Sequence, residues 1–424
     1  MKLFFYRWLA LGLALATGFL GFQTWELRRR VADLRDTVAL LEQERRELVR
    51  QAATPVVEKP EQRAELRQEI ERQTSALRGL AFRGPVTYKM ISRSELRDVL
   101  IRQVREQHTE QEARAYGRCF EALGVIPPGT DLMALFIRLY DEQVGAFYIP
   151  QERALYTFQD MSLSAGMDRM ILAHELTHAL QDQHYDLTKF PLHVKDNDDL
   201  ALATSALLEG DATVLMTQFY ARSAAEGGMW KDLLVMLTAQ KTEKLQAAPP
   251  FLRELMLFPY QEGQKFVFAL QLEGGDEALD RAFRNPPVST EQILHPEKFW
   301  GERDDPRPVT VPVISSPAWQ RIGSNVLGEL GIRAMLATQL RFTEAQAAAA
   351  GWDGDRYEVY ERGAGGPLGL VWLSVWDQEQ DAEEFAALYR QFAAQRGVNA
   401  QVTQKGVEVK VVQSDEDEFF ALVP

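Results

Sequence analysis

The stretch ILAHELTHALQDQH, Ile171 to His184, decides how this chain is read. Ile171, Leu172 and Leu176, with Met167 before them, recur at helical spacing. Ser164 is placed to cap the start and Asp168 to favour the first turn. On such a helix His174 and His178 lie one turn apart and stack on one face. Two imidazoles so placed can share one ion at a zinc–nitrogen distance of about 2.0–2.1 Å. Glu175 is one helical step round, about 100° from His174, so it points beside the ion and suits a base acting on metal-activated water. The competing reading is a core helix whose histidines only satisfy hydrogen bonds. His184, six residues after His178, falls off the ligand face.

A catalytic zinc takes three protein ligands and keeps one position open. No third histidine follows at short spacing. The third ligand is expected from DDLALATSALLEGDATVLMTQFY, residues 198–220. Asp198 or Asp199 can cap a second helix there. Leu207 and Leu208 set an apolar stripe against Glu209, a carboxylate that is costly to bury without a positive partner, and a dication removes that cost. Gly210 lets the two helices approach closely. Asp211, two residues from Glu209, is at best a group behind the ligands. Tyr260 in FPYQEG, His295 in QILHPEK and Tyr185 are further candidates, because in the gluzincins, which the residues above resemble, a downstream His or Tyr serves the oxyanion of hydrolysis.

These residues resemble the zincin metallopeptidases of the gluzincin type, with HExxH and a downstream Glu. Thermolysin-like members also read HELTHA on this helix, with an Asp four residues after the second His, which Asp182 matches. The resemblance implies that His174, His178 and Glu209 bind zinc and that Glu175 is the general base. One departure stands out: the family pattern has Asp four residues after the ligand Glu, and here that position is Thr213. HELTHALQDQHYDL, ALLEGDA, FPYQEGQKFV and NPPVSTEQILHPEKF, in that order, are also similar to poorly characterised prokaryotic surface-associated metallopeptidases.

The rest of the chain sets the context. It has 424 residues, with 47 Lys and Arg against 61 Asp and Glu, a net charge of −14 that argues against a nucleic-acid partner. A lone cysteine, Cys119, excludes a disulfide framework. Apolar residues from Leu3 to Trp25, with aromatic residues near both ends, read as an uncleaved membrane anchor over residues 1–25. A cleaved signal at Ala14-Leu15-Ala16 is the competing reading. The expected place is the cell membrane, single-pass, with the main body outside the cytoplasm. Leu27, Val31, Leu34, Val38, Leu41 and Leu48 follow a heptad seam, interrupted by Arg45, that predicts a coiled-coil stalk over 26–52 and a possible homodimer. A linker is expected over 53–60.

The fold class expected is α+β: a mainly helical zincin-like domain over 61–303 with a small edge sheet, then a separate α+β unit over 304–424. In the first, PVTYKMIS reads as a strand, Ser92 and Glu95 as a capping box, and AFYIP and ALYTF as a hairpin. Ala154 to Phe158 is a candidate edge strand for extended substrate. In the second, DRYEVYE, GLVWLSVW and QVTQKGVEVKVV read as strands around a helix at DAEEFAALYRQFAAQ, with Trp372 and Trp376 in the core. The function expected is membrane-anchored, zinc-dependent hydrolysis of a peptide or protein substrate. The alternatives are a non-catalytic zincin-fold scaffold at the cell surface and a zinc hydrolase acting on a cell-wall amide.

Overall fold

A computed structural model describes residues 58–107, 109–143, 145–164, 166–225 and 243–424, and before them only Arg35, Ala39, Leu40 and Gln43. The membrane anchor expected over residues 1–25 and almost all of the coiled coil expected over 26–52 lie outside the described residues, as does the expected linker up to residue 57. Pro60, at the end of the expected linker, already opens the first described helix, where its missing N–H costs nothing.

In chain order the elements are α1 (Pro60–Arg78), β1 (Thr87–Ile91), α2 (Arg93–Gln107), α3 (Glu110–Leu123), α4 (Leu132–Gln143), β2 (Ala146–Ile149) and β3 (Ala154–Phe158). Then come α5 (Gly166–Tyr185), α6 (Asp198–Ala225), α7 (Pro250–Arg284) and α8 (Thr290–Leu294). The last stretch holds β4 (Trp319–Asn325), α9 (Gly328–Leu336), α10 (Phe342–Ala349), β5 (Trp352–Arg362), β6 (Leu368–Trp376), α11 (Glu379–Arg396), β7 (Ala400–Lys405), β8 (Glu408–Ser414) and α12 (Asp417–Phe420). The chain is thus mixed α+β.

Two sheets form. The first has the order β1-β3-β2, with β1 parallel and β2 antiparallel to β3. The expected hairpin is present, but its second strand is central. Both edges of Ala154–Phe158 are already paired, so it cannot take up substrate; β1 and β2 are the edge strands. The capping box is formed as read: the Ser92 N–H donates to Glu95 at 2.7 Å and the Glu95 N–H to the Ser92 hydroxyl at 3.3 Å. Two other caps differ from expectation. Ser164 donates its N–H to Glu58, whereas Asp168 falls in the first turn of α5 as expected and also accepts the N–H of Ser162. Asn197 caps α6 by accepting from Leu200, while Asp198 and Asp199 fall in its first turn.

The core of the helical layer is the crossing of α6 and α7. A Cβ on Gly210 would lie 2.3 Å from the Gly263 carbonyl oxygen, and one on Gly263 would lie 2.2 Å from that of Ala206. Gly210 therefore serves the approach of α7, not that of α5, which carries His174 and His178. Ala203, Ala206, Leu207, Phe258, Phe266 and Leu270 bury around this crossing. By length and hydropathy, Asp198–Arg222 is apolar enough to cross a membrane, yet its apolar residues pack into this interior.

The second sheet is antiparallel, in the order β4-β5-β6-β8-β7. Trp372 and Trp376 are in its core, as expected. Asp355 is buried there and accepts four N–H groups, from Leu327, Gly328, Trp352 and Trp372, at 2.9–3.1 Å. That carboxylate joins two strands to the start of α9, and the helix N-terminus favours its charge. The boundary expected near residue 303 does not separate two cores. One apolar cluster runs from Phe120, Leu123 and Leu132 through Phe251 and Leu252 to Trp352, Trp372 and Phe385. Val57–Met229 and Ala239–Pro424 form one compact unit.

Candidate metal centre

Helix α5 places His174 and His178 one turn apart, and α6 brings Glu209 against both. His174 Nε2 lies 3.1 Å from Glu209 Oε2, His178 Nε2 lies 3.5 Å from the same oxygen, and the two Nε2 atoms are 3.2 Å apart. Three donors held tetrahedrally at zinc-bond lengths sit about 3.3 Å from one another. The observed spacings bracket that value, and a two-nitrogen, one-oxygen set suits zinc. These three residues, read separately from two segments of the sequence, are brought together.

Electrostatics agree with a cation-ready cluster. Burial pushes the Glu209 carboxyl up, but the facing imidazoles outweigh it and hold it well below the usual carboxylate range. Burial pulls the His178 imidazole down, yet Glu209 more than compensates and the net is a rise to about 9. Glu175, 9 % exposed, is one step round the helix. Burial pushes its carboxyl above the usual range, while the two imidazoles and the Tyr148 N–H pull the other way. Tyr148 belongs to β2, so an edge strand of the first sheet faces this carboxylate.

Behind the ligands lies a polar layer that the sequence reading only touched. Gln181 Oε1 faces His178 Nδ1 at 2.9 Å. The Gln181 amide nitrogen donates to the Leu208 carbonyl and to Asp211, both at 3.0 Å. Arg78 donates to the same Asp211 oxygen at 2.9 Å and to Asp280 at 3.0 Å. Asp211 therefore stands behind the ligands, as its position allowed. Gln181 was missed, although its place three residues after His178 puts it on the same helix face. Arg78 carries no local signal at all.

The remaining candidates divide. Tyr260 on α7 lies beside the cluster: its ring centroid is 6.4 Å from that of His174 with the planes 26° apart, and it is 43 % exposed. His295 pairs with acids: its Nε2 lies 3.0 Å from Glu329 and its Nδ1 3.8 Å from Glu297. Tyr185 donates its hydroxyl to Asp280 at 2.7 Å, and His184 Nε2 meets the Ala81 carbonyl at 2.8 Å. Asp182 accepts from the Tyr148 hydroxyl and the Leu187 N–H, so it joins β2 to α5 instead of orienting a ligand. A second group of acids, Glu291, Asp304 and Asp377, converges as well, but the Lys298 ammonium sits among them at 2.6–2.9 Å.

Comparison with known proteins adds one match and one absence. No curated protein matches the chain. Residues 316–422, which span the second sheet and its helices, match a family described as a domain of unknown function (DUF8575).

Proposed function

We propose that this chain is a zinc-dependent metallopeptidase of the gluzincin type. The observation that carries the reading is the convergence of His174 Nε2, His178 Nε2 and Glu209 Oε2 within 3.5 Å of one another. When bound, zinc supplies a Lewis acid that polarises a carbonyl and lowers the pKa of water. Glu175 takes a proton from water and passes it to the leaving amine, a task for which its raised carboxyl is suited. The Tyr260 phenol donates to the developing oxyanion from the solvent side of His174. The free edge of β2 holds the substrate backbone in extended form. The anchor and stalk expected over residues 1–52 set this body at the outer face of a membrane, which protease shaving of intact cells reads directly.

Glu175→Gln is the decisive substitution. It is expected to keep bound zinc while peptide cleavage falls by about 10²–10⁴-fold, the loss typical of a general base. Metal analysis beside a peptide-library assay reads both quantities. Wild-type protein that holds zinc but cleaves no peptide would favour a scaffold; wild-type protein without zinc would remove the reading altogether.

A further inference from the structure

Gln181 has no role in the chemistry above, yet it is fully buried and every polar atom of its side chain is engaged. We infer that Gln181 is a positioning residue that fixes His178 in the tautomer able to bind a metal, with Asp211 and Arg78 fixing Gln181 in turn. The inference rests on the metal reading of His174, His178 and Glu209.

The argument is one of donors and acceptors. The amide nitrogen of Gln181 lies against two oxygens, the Leu208 carbonyl and the Asp211 carboxylate. The carbonyl can only accept, and the carboxylate already accepts from Arg78. Turning the amide over would set oxygen against oxygen at both contacts and leave its N–H₂ facing the imidazole. The amide therefore has one allowed orientation, with Oε1 toward His178 Nδ1. An oxygen there accepts only from a protonated Nδ1. In the neutral ring the lone pair is then on Nε2, the atom that faces His174 and Glu209. Arg78, 3 % exposed, completes the chain by holding Asp211 in place from α1. The orientation of a ligand on α5 thus depends on an arginine 100 residues earlier in sequence, on a different helix.

The test is zinc affinity, measured by chelator competition, together with the imidazole N–H resonance of His178 in zinc-loaded, ¹⁵N-histidine-labelled protein. Gln181→Met keeps the volume and removes the acceptor. Gln181→Asn keeps a buried amide but falls one methylene short of His178, and it covers the case in which the Met variant does not fold. Either is expected to weaken zinc binding by about 10–100-fold, with the His178 Nδ1–H resonance moved upfield. Losses below about threefold in the Gln181 variants overturn the proposal. Weaker binding with that resonance unmoved assigns the loss to general loosening and overturns it too. If wild type binds zinc and Glu209→Ala does not, while the Gln181 variants match wild type, only the positioning role falls. Wild type without zinc removes the metal reading and this inference together.

Discussion

Tyr260 and His295 show how differently two residues of equal promise can be used. Tyr260 sits beside the His174 ring and is open to solvent, where a phenol can meet a substrate oxygen. Tyr260→Phe is expected to lower kcat by about 10²-fold with KM little changed, because the hydrogen bond strengthens only as charge develops. Steady-state kinetics on any cleaved peptide checks this, and an unchanged kcat removes the residue from the mechanism. His295 is held by a buried acid, Glu329. The hydrogen bond to Glu329 raises its imidazole above the ordinary 6.5, against the pull of burial. A raised folded-state value means that the stabilisation is fully present below pH 6.5 and fades as pH rises through the raised value. His295→Gln is therefore expected to lower the melting temperature at about pH 6 and progressively less toward alkaline pH. The ring is about one-third exposed, so solvent screening limits the effect to about 1 kcal/mol or less. A deficit that grows with pH would contradict this account.

Among the elements, the crossing of α6 and α7 sets the site more than either helix does alone. α6 carries Glu209, and α7 carries Tyr260 one turn before Gly263. The two backbones meet at Gly210 and Gly263, so the ligand and the phenol approach α5 as a pair. Gly210→Ala would place a methyl 2.3 Å from a backbone oxygen that has no rotamer with which to yield. The expected cost is about 1–3 kcal/mol, read by urea denaturation, with lowered zinc content as Glu209 shifts. A variant as stable as wild type would mean the helices can slide apart freely. The sequence named Gly210 as a point of close approach but paired it with the wrong helix. Small residues announce that a backbone comes near; they do not say which one. The edge strand carries the same lesson. The hairpin was legible from two apolar runs joined by QER, but the parallel addition of β1, from far upstream in the chain, made β3 central.

At the scale of the whole molecule, the sheet over residues 319–414 and the helices before it share a core. Lys298 adds a polar tie, joining Glu291 in α8 to Asp377 after β6. Burial pulls that ammonium down, but hydrogen bonds to Asp377, Glu291 and Asp304 outweigh it and keep it charged. A chain ended at residue 303 would leave Phe120, Leu123, Leu132, Phe251 and Leu252 uncovered. Such a fragment is expected to aggregate or to melt without cooperativity in calorimetry, whereas a sharp transition would restore the picture of two independent domains. Composition shifts near ERDDPRP suggested a boundary because they mark a change of element type. They are silent on whether apolar faces on either side meet.

The sequence by itself determined the local chemistry: two imidazoles one turn apart, a carboxylate one step round, the helix that carries them, strands β5 to β8 of the second sheet (but not β4) and the cap at Ser92. Each is set by residues within a turn or two of one another, where periodicity and propensity act directly. It also picked out Glu209, because a carboxylate beside an apolar stripe requires a partner. Only the tertiary structure decided that Tyr260 lies beside His174 while His295 meets Glu329, that β3 is central and β2 an edge, and that the second sheet shares a core with α3, α4 and the start of α7. It alone joined Gln181 to Asp211 and Arg78, across a separation of 133 residues between the last two. The physical reason is that these outcomes depend on which apolar surfaces meet and on which buried polar groups find partners when they do. Those choices are made by the folded chain as a whole, and no short window of residues records them.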